Sequence, residues 1–163
     1  MSLGAALWKS NQLGELKKPL KLTSFSFGPS YDEESIYEFS KEFDFIRTGL
    51  DYDEIAKDIH SGKIIGWFDG GMEFGPRALG NRSLLADPRG IEIKDKVNSI
   101  KHRQKFRPFA PAVLEEHAHE IFEMPVDRIP YMQYTAKCKY PELYPAICHI
   151  DNTSRVQTVS QSD

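Results

Sequence analysis

Lys63-Ile64-Ile65-Gly66-Trp67-Phe68-Asp69-Gly70-Gly71-Met72-Glu73-Phe74-Gly75-Pro76-Arg77-Ala78-Leu79-Gly80-Asn81-Arg82-Ser83-Leu84-Leu85-Ala86 reads as strand, loop, strand. Lys63 to Phe68 is a short apolar run with strand character, and Ser83 to Ala86 is the next. The loop between them holds two arginines, an asparagine and a serine among Gly71, Gly75, Pro76 and Gly80. Glycine lets a backbone come close to a ligand, and proline fixes the turn. Arginine offers a flat fork of donors suited to phosphate and carboxylate oxygens. A glycine-rich loop at a strand end is a common ligand site in α/β proteins. Two readings of Met72–Ser83 stay open on pattern alone: an anion-binding loop, or a tight structural turn with surface arginines.

A second cluster has the same chemistry. Lys101-His102-Arg103-Gln104-Lys105-Phe106-Arg107-Pro108-Phe109-Ala110-Pro111 sets cations before proline-braced aromatics. From Arg77 to Arg107 there are nine Lys/Arg and three Asp/Glu, a net +6, in a chain whose net charge is −3. A basic island in an acidic protein points to a local anionic partner and argues against general nucleic-acid affinity. A third segment, His149 to Val159, contains the turn-forming Asp151-Asn152-Thr153-Ser154. Beyond it Arg155 and Gln157 alternate with Val156, so the two polar side chains face one way. Either they form the outer face of a hairpin, or Arg155 joins the anion pocket.

The remaining chain supplies a mixed α/β frame. At 163 residues it is long enough for one domain with a real core. Residues 1–30 read as a tail or linker, in which Ser2 to Trp8 closes a helix and Lys17-Lys18-Pro19 and Phe27-Gly28-Pro29 punctuate an extended stretch. Helices are predicted over Asp32–Phe43, Tyr52–Ser61, Ile93–Ile100 and Glu115–Phe122. Further strands are predicted over Pro111–Leu114, Tyr131–Ala136, Ala146–Ile150 and Val156–Val159. No apolar run approaches the ~20 residues of a membrane span, and no signal peptide is visible. Cys138 and Cys148 lack CxxC spacing and read as free thiols, which suits a cytoplasmic protein. There is no Walker A Gly-Lys-Ser/Thr and no Gly-x-Gly-x-x-Gly fingerprint. No metal site is read: His117 and His119 fall on different faces of a helix. Glu73 is open between a base, a Mg²⁺ ligand and an ion pair with Arg77 or Arg82.

Three segments together resemble the O-carbamoyltransferase family that modifies antibiotics and nodulation factors, in its C-terminal, YrdC-like region. They are Gly66 to Arg89, Lys101 to Pro111 and His149 to Val159, so the resemblance covers roughly residues 60–160. It implies a YrdC-like twisted mixed sheet flanked by helices over residues 31–163, incomplete at its C-terminal edge. It also implies that carbamoyl phosphate and ATP, with Mg²⁺ on the triphosphate, give carbamoyl-adenylate here. A separate N-terminal domain then passes the carbamoyl group to a hydroxyl acceptor. On this reading Arg77, Lys101 and Arg107 are catalytic, and Asn81, Arg82, Ser83, Arg103 and Arg155 bind substrate or nucleotide. Two polyanions must meet, so cations have to offset their repulsion and the charge developing at phosphorus.

The chain departs from the family in three places. The resemblance implies an N-terminal transfer domain that is expected to be missing here, with Leu3 to Leu7 resembling its final helix. The downstream Asn-Thr-Ser-Phe-Asn segment lies beyond Asp163, and Gln104 replaces the usual Glu. The chain alone is therefore expected to be too short for complete carbamoyl transfer. The missing domain is its expected partner, and a homo-oligomer stays open. The alternative function is a non-catalytic anion- or RNA-binding YrdC-like module.

Overall fold

The computed structural model describes residues 2–20, 22–44 and 49–160. The chain begins with three helices, α1 (Ser2–Gln12), α2 (Glu33–Ser40) and α3 (Tyr52–His60). Asp32 caps α2 by accepting from the Ser35 N–H at 2.8 Å, and Asp51 caps α3 by accepting from Asp53 at 3.0 Å. None of the three helices buries a residue. Strands β1 (Ile65–Phe68) and β2 (Arg82–Leu85) pair antiparallel, with Ile65 opposite Leu85 and Phe68 opposite Arg82. The loop quoted above therefore closes a hairpin. Helix α4 (Ile91–Ile100) follows, then β3 (Ala112–Leu114) and α5 (Glu115–Ile121). Strands β4 (Phe122–Glu123), β5 (Ala136–Cys138), β6 (Thr153–Ser154) and β7 (Gln157–Val159) complete the described elements.

The α/β class is as the sequence implies, with the strands divided among three small sheets. β3 pairs parallel with β7, while β4, β5 and β6 form an antiparallel sheet. The core fills the space between these units. Phe122, Ala136, Cys138, Ile147 and Val156 form one cluster, and Ile93, Val97 and Ala146 form a second. Phe109 packs against both, so the loop carrying Arg103 and Arg107 is anchored where the clusters meet. Cys138 and Cys148 are free thiols.

Two predicted strands are corrected. Tyr131–Ala136 is mostly turn, with a strand beginning only at Ala136, and Ala146–Ile150 is a set of turns. Ala146 and Ile147 are buried, but their N–H groups donate to Pro88 and Tyr144 carbonyls, outside any ladder. A short apolar run reports burial; it does not by itself report a strand. Helix α2 also stops at Ser40, short of the predicted Phe43.

Residues 25–29, expected as linker, run beside the arginine loop. Gly28 donates to the Met72 carbonyl at 2.8 Å, Met72 to Pro29 at 3.0 Å, and Phe74 to Phe25 at 2.7 Å. A Cβ at Gly28 would stand 2.7 Å from the Met72 oxygen, so only glycine permits this approach. The C-terminal edge expected at Asp163 lies outside the described residues. Among the described residues, no helix is long and apolar enough to cross a membrane.

Candidate functional site

The Met72–Ser83 loop is shaped around one carboxylate. Glu73 is 5% exposed. It accepts from the Leu79 N–H at 2.6 Å, from the Asn81 N–H at 2.8 Å and from Arg82 Nε at 3.0 Å. Burial pulls its pKa upward, yet the two backbone donors and Arg82 outweigh that and hold the carboxyl below its ordinary value. Arg82 also donates to the Gly75 carbonyl at 2.7 Å. Asn81 Nδ2 reaches the Gly71 carbonyl and Ser26 Oγ. Gly75 and Gly80 take φ of 124° and 131°, values that side chains resist, and so let the loop turn back on Glu73. Arg77 stands between these glycines and is exposed.

The second loop is fixed from α4. Asn98 has no solvent exposure. Its Nδ2 donates to the Arg107 carbonyl at 2.9 Å and to the Lys105 carbonyl at 3.2 Å. Its Oδ1 accepts from Arg103 Nε at 2.5 Å. The Arg103 guanidinium lies 4.4 Å from the centre of the Phe109 ring, a cation–π contact.

The third element is the turn into β6 and the link from β6 to β7. Asp151 accepts from the Thr153 N–H and hydroxyl at 3.0 and 2.7 Å, and Asn152 takes a φ of 61°. Arg155 follows, with its Nε buried and unpartnered. Gln157 Nε2 donates to the Leu79 carbonyl at 2.7 Å, tying β7 to the first loop.

These three pieces bring four guanidiniums together. Burial, then the positive charges of Arg107, Arg155 and Arg77, push Arg103 below its ordinary pKa. Burial, then Arg77 and Arg107, do the same to Arg155. Arginine is effectively always protonated in proteins. Like charges held together in a partly buried place are an arrangement that a bound anion relieves.

Residues 56–163 match the family described as Carbamoyltransferase C-terminus. The chain belongs to this family. Nodulation protein NolNO of Sinorhizobium fredii is 41% identical over 171 residues, covering 99% of this chain and 25% of that protein. Nodulation protein NolO of Bradyrhizobium diazoefficiens is 41% identical over 170 residues, covering 98% of this chain and 31% of that protein. The 3'-hydroxymethylcephem-O-carbamoyltransferase of Amycolatopsis lactamdurans is 39% identical over 113 residues, covering 69% of this chain and 22% of that protein. This carbamoyltransferase C-terminal region thus spans between a quarter and a third of the nodulation proteins' length.

Within this region the residues singled out by sequence divide into two groups. Arg77, Arg103, Arg107 and Arg155 converge. Arg82 and Asn81 are engaged with their own loop, Ser83 stands opposite Trp67 in the hairpin, and Lys101 is exposed at the C-terminal cap of α4. Glu73 pairs with Arg82, and of the two arginines named by the sequence it is Arg82 that forms the ion pair. Sequence reading missed Asn98. Asn98 follows Val97, which lies one turn from Ile93, but its own turn neighbours are Lys94 and Asp95, so the helical pattern gave no signal for it.

Proposed function

We propose that this chain provides the carbamoyl phosphate and ATP site of a carbamoyltransferase. Water, carbamoyl phosphate and ATP would give carbamoyl-adenylate, phosphate and pyrophosphate, and a separate domain would pass the carbamoyl group to a hydroxyl acceptor. The convergence of Arg77, Arg103, Arg107 and Arg155 carries the reading. Carbamoyl phosphate and a nucleoside triphosphate repel one another, and several cations fixed before binding lower that cost. The Amycolatopsis relative is named for a 3'-hydroxymethylcephem acceptor.

Arg77 and Arg107 are suited to the transferring groups, since both are exposed while their neighbours are held. Arg103 and Arg155 are half-buried and suited to binding. Arg82 and Asn81 act by shaping the loop. Mg²⁺ would arrive on the triphosphate as part of the substrate. One observation favours the second reading, an RNA-binding module. Phe106, beside Arg107 in sequence, is 78% exposed, and exposed aromatics among cations suit base stacking.

Isothermal titration tests the proposal, with carbamoyl phosphate and separately with ATP and Mg²⁺, on this chain and on Arg77→Ala. Saturable binding that Arg77→Ala removes is the expected result. Failure of both ligands to bind, with tight binding of single-stranded RNA, would support the module instead.

A further inference from the structure

We infer that Asn98 is the positioning residue of the anion site: one buried amide sets both Arg103 and Arg107 in place. The inference rests on the arginine cluster being the site proposed above. Both polar atoms of the Asn98 side chain are directed at the loop that carries those arginines. Its oxygen accepts from Arg103 Nε at 2.5 Å, and its nitrogen donates to the Lys105 and Arg107 carbonyls at 3.2 and 2.9 Å. Its backbone carbonyl accepts from the Arg103 N–H at 3.0 Å.

The geometry has a chemical consequence. Arginine has five N–H donors. Asn98 engages only Nε, and Phe109 covers one face of the guanidinium. The terminal nitrogens are left to form a fork toward an anion. Arg103 is held among three like charges, which would otherwise drive a flexible side chain away. A neutral amide resists that displacement without cancelling the charge. An aspartate would hold Arg103 as well, but as an ion pair it would compete with the ligand. Its oxygens would also face the carbonyls of Lys105 and Arg107.

A double-mutant cycle on carbamoyl phosphate affinity tests this, with melting temperature recorded for every variant. The variants are Asn98→Ser, Arg103→Ala and the double variant, with Asn98→Asp as a close match in shape. Asn98→Ser is expected to weaken binding by tenfold or more. In the Arg103→Ala background it is expected to add only a few-fold, the part transmitted through Arg107. Asn98→Asp, folded like the parent, is expected to bind at least tenfold more weakly. Independent losses in the cycle, or full affinity in a folded Asn98→Asp, would overturn the positioning role while leaving the anion site standing. A parent chain that binds neither carbamoyl phosphate nor pyrophosphate would overturn the site and this role together.

Discussion

Removing the Glu73 side chain is the sharpest test of how the arginine loop is held. Glu73→Ala strands two partly buried backbone donors, those of Leu79 and Asn81. Each unsatisfied donor costs about 1–3 kcal/mol. The lost bond to Arg82 adds less, because that side chain is 33% exposed and water takes its place. Some water also enters the loop, so the sum settles near about 3 kcal/mol. For a chain of this size that is roughly 6–12 °C in melting temperature. Glu73→Gln keeps an oxygen for the two N–H groups and loses the charge facing Arg82, for about 1–2 kcal/mol. Urea unfolding of the three proteins measures both values. pH gives a second readout. The folded carboxyl titrates below its ordinary value of 4.5, so the unfolded chain binds more protons in acid. The Glu73 contribution is complete at neutral pH and is lost as pH falls below about 4.5 toward the lower folded value. The Gln variant should show a shallower loss in that window. A Glu73→Ala protein within about 1 kcal/mol of the parent would refute the claim that this carboxylate organises the loop.

Three other outcomes are expected. Arg155→Gln removes a guanidinium whose Nε is buried without a partner beside Arg77 and Arg107, so it should gain about 1 kcal/mol and lose its stabilisation by added pyrophosphate. Melting with and without pyrophosphate checks both, and a variant still stabilised by the anion would count against Arg155 as a ligand. Gly28→Ala places a methyl 2.7 Å from the Met72 oxygen and should cost about 1–3 kcal/mol, with faster proteolysis around residues 25–29. Cys148 is pushed up to about 11, by burial first and by its neighbour Cys138, so at pH 8 it is about 0.1% thiolate and should react slowly with iodoacetamide. Rapid alkylation in the native protein would contradict that environment.

The parts of the fold written in local chemistry were legible in the sequence. The hairpin around Met72–Ser83 follows from two apolar runs and a glycine-rich gap. The sequence grouped Arg77, Asn81, Arg82, Ser83, Lys101, Arg103, Arg107 and Arg155 through two basic clusters and the family resemblance, and of these Arg77, Arg103, Arg107 and Arg155 lie within reach of one another's charge. What hid was tertiary. Arg82 and Arg77 look equivalent in the sequence, and only the buried Glu73 separates them. The Ala146–Ile150 run has strand composition, but Pro88 and Tyr144 claim its N–H groups. Asn98 was passed over because a helix pattern ranks residues by apolarity and does not tell which polar one is enclosed.

The parallel pairing of β3 with β7 has a consequence for the order in which the site is assembled. Residues 112–114 must wait for residues 157–159 before the pair can close. Arg155 and Gln157 arrive with that strand, so the cluster is finished by one of the most non-local contacts in the chain. Closing it also drives like charges together, which places an electrostatic barrier late in folding. A polyanion present during refolding would lower that barrier. The ligand would then act as a template for the site that binds it, and refolding would quicken as its concentration rises.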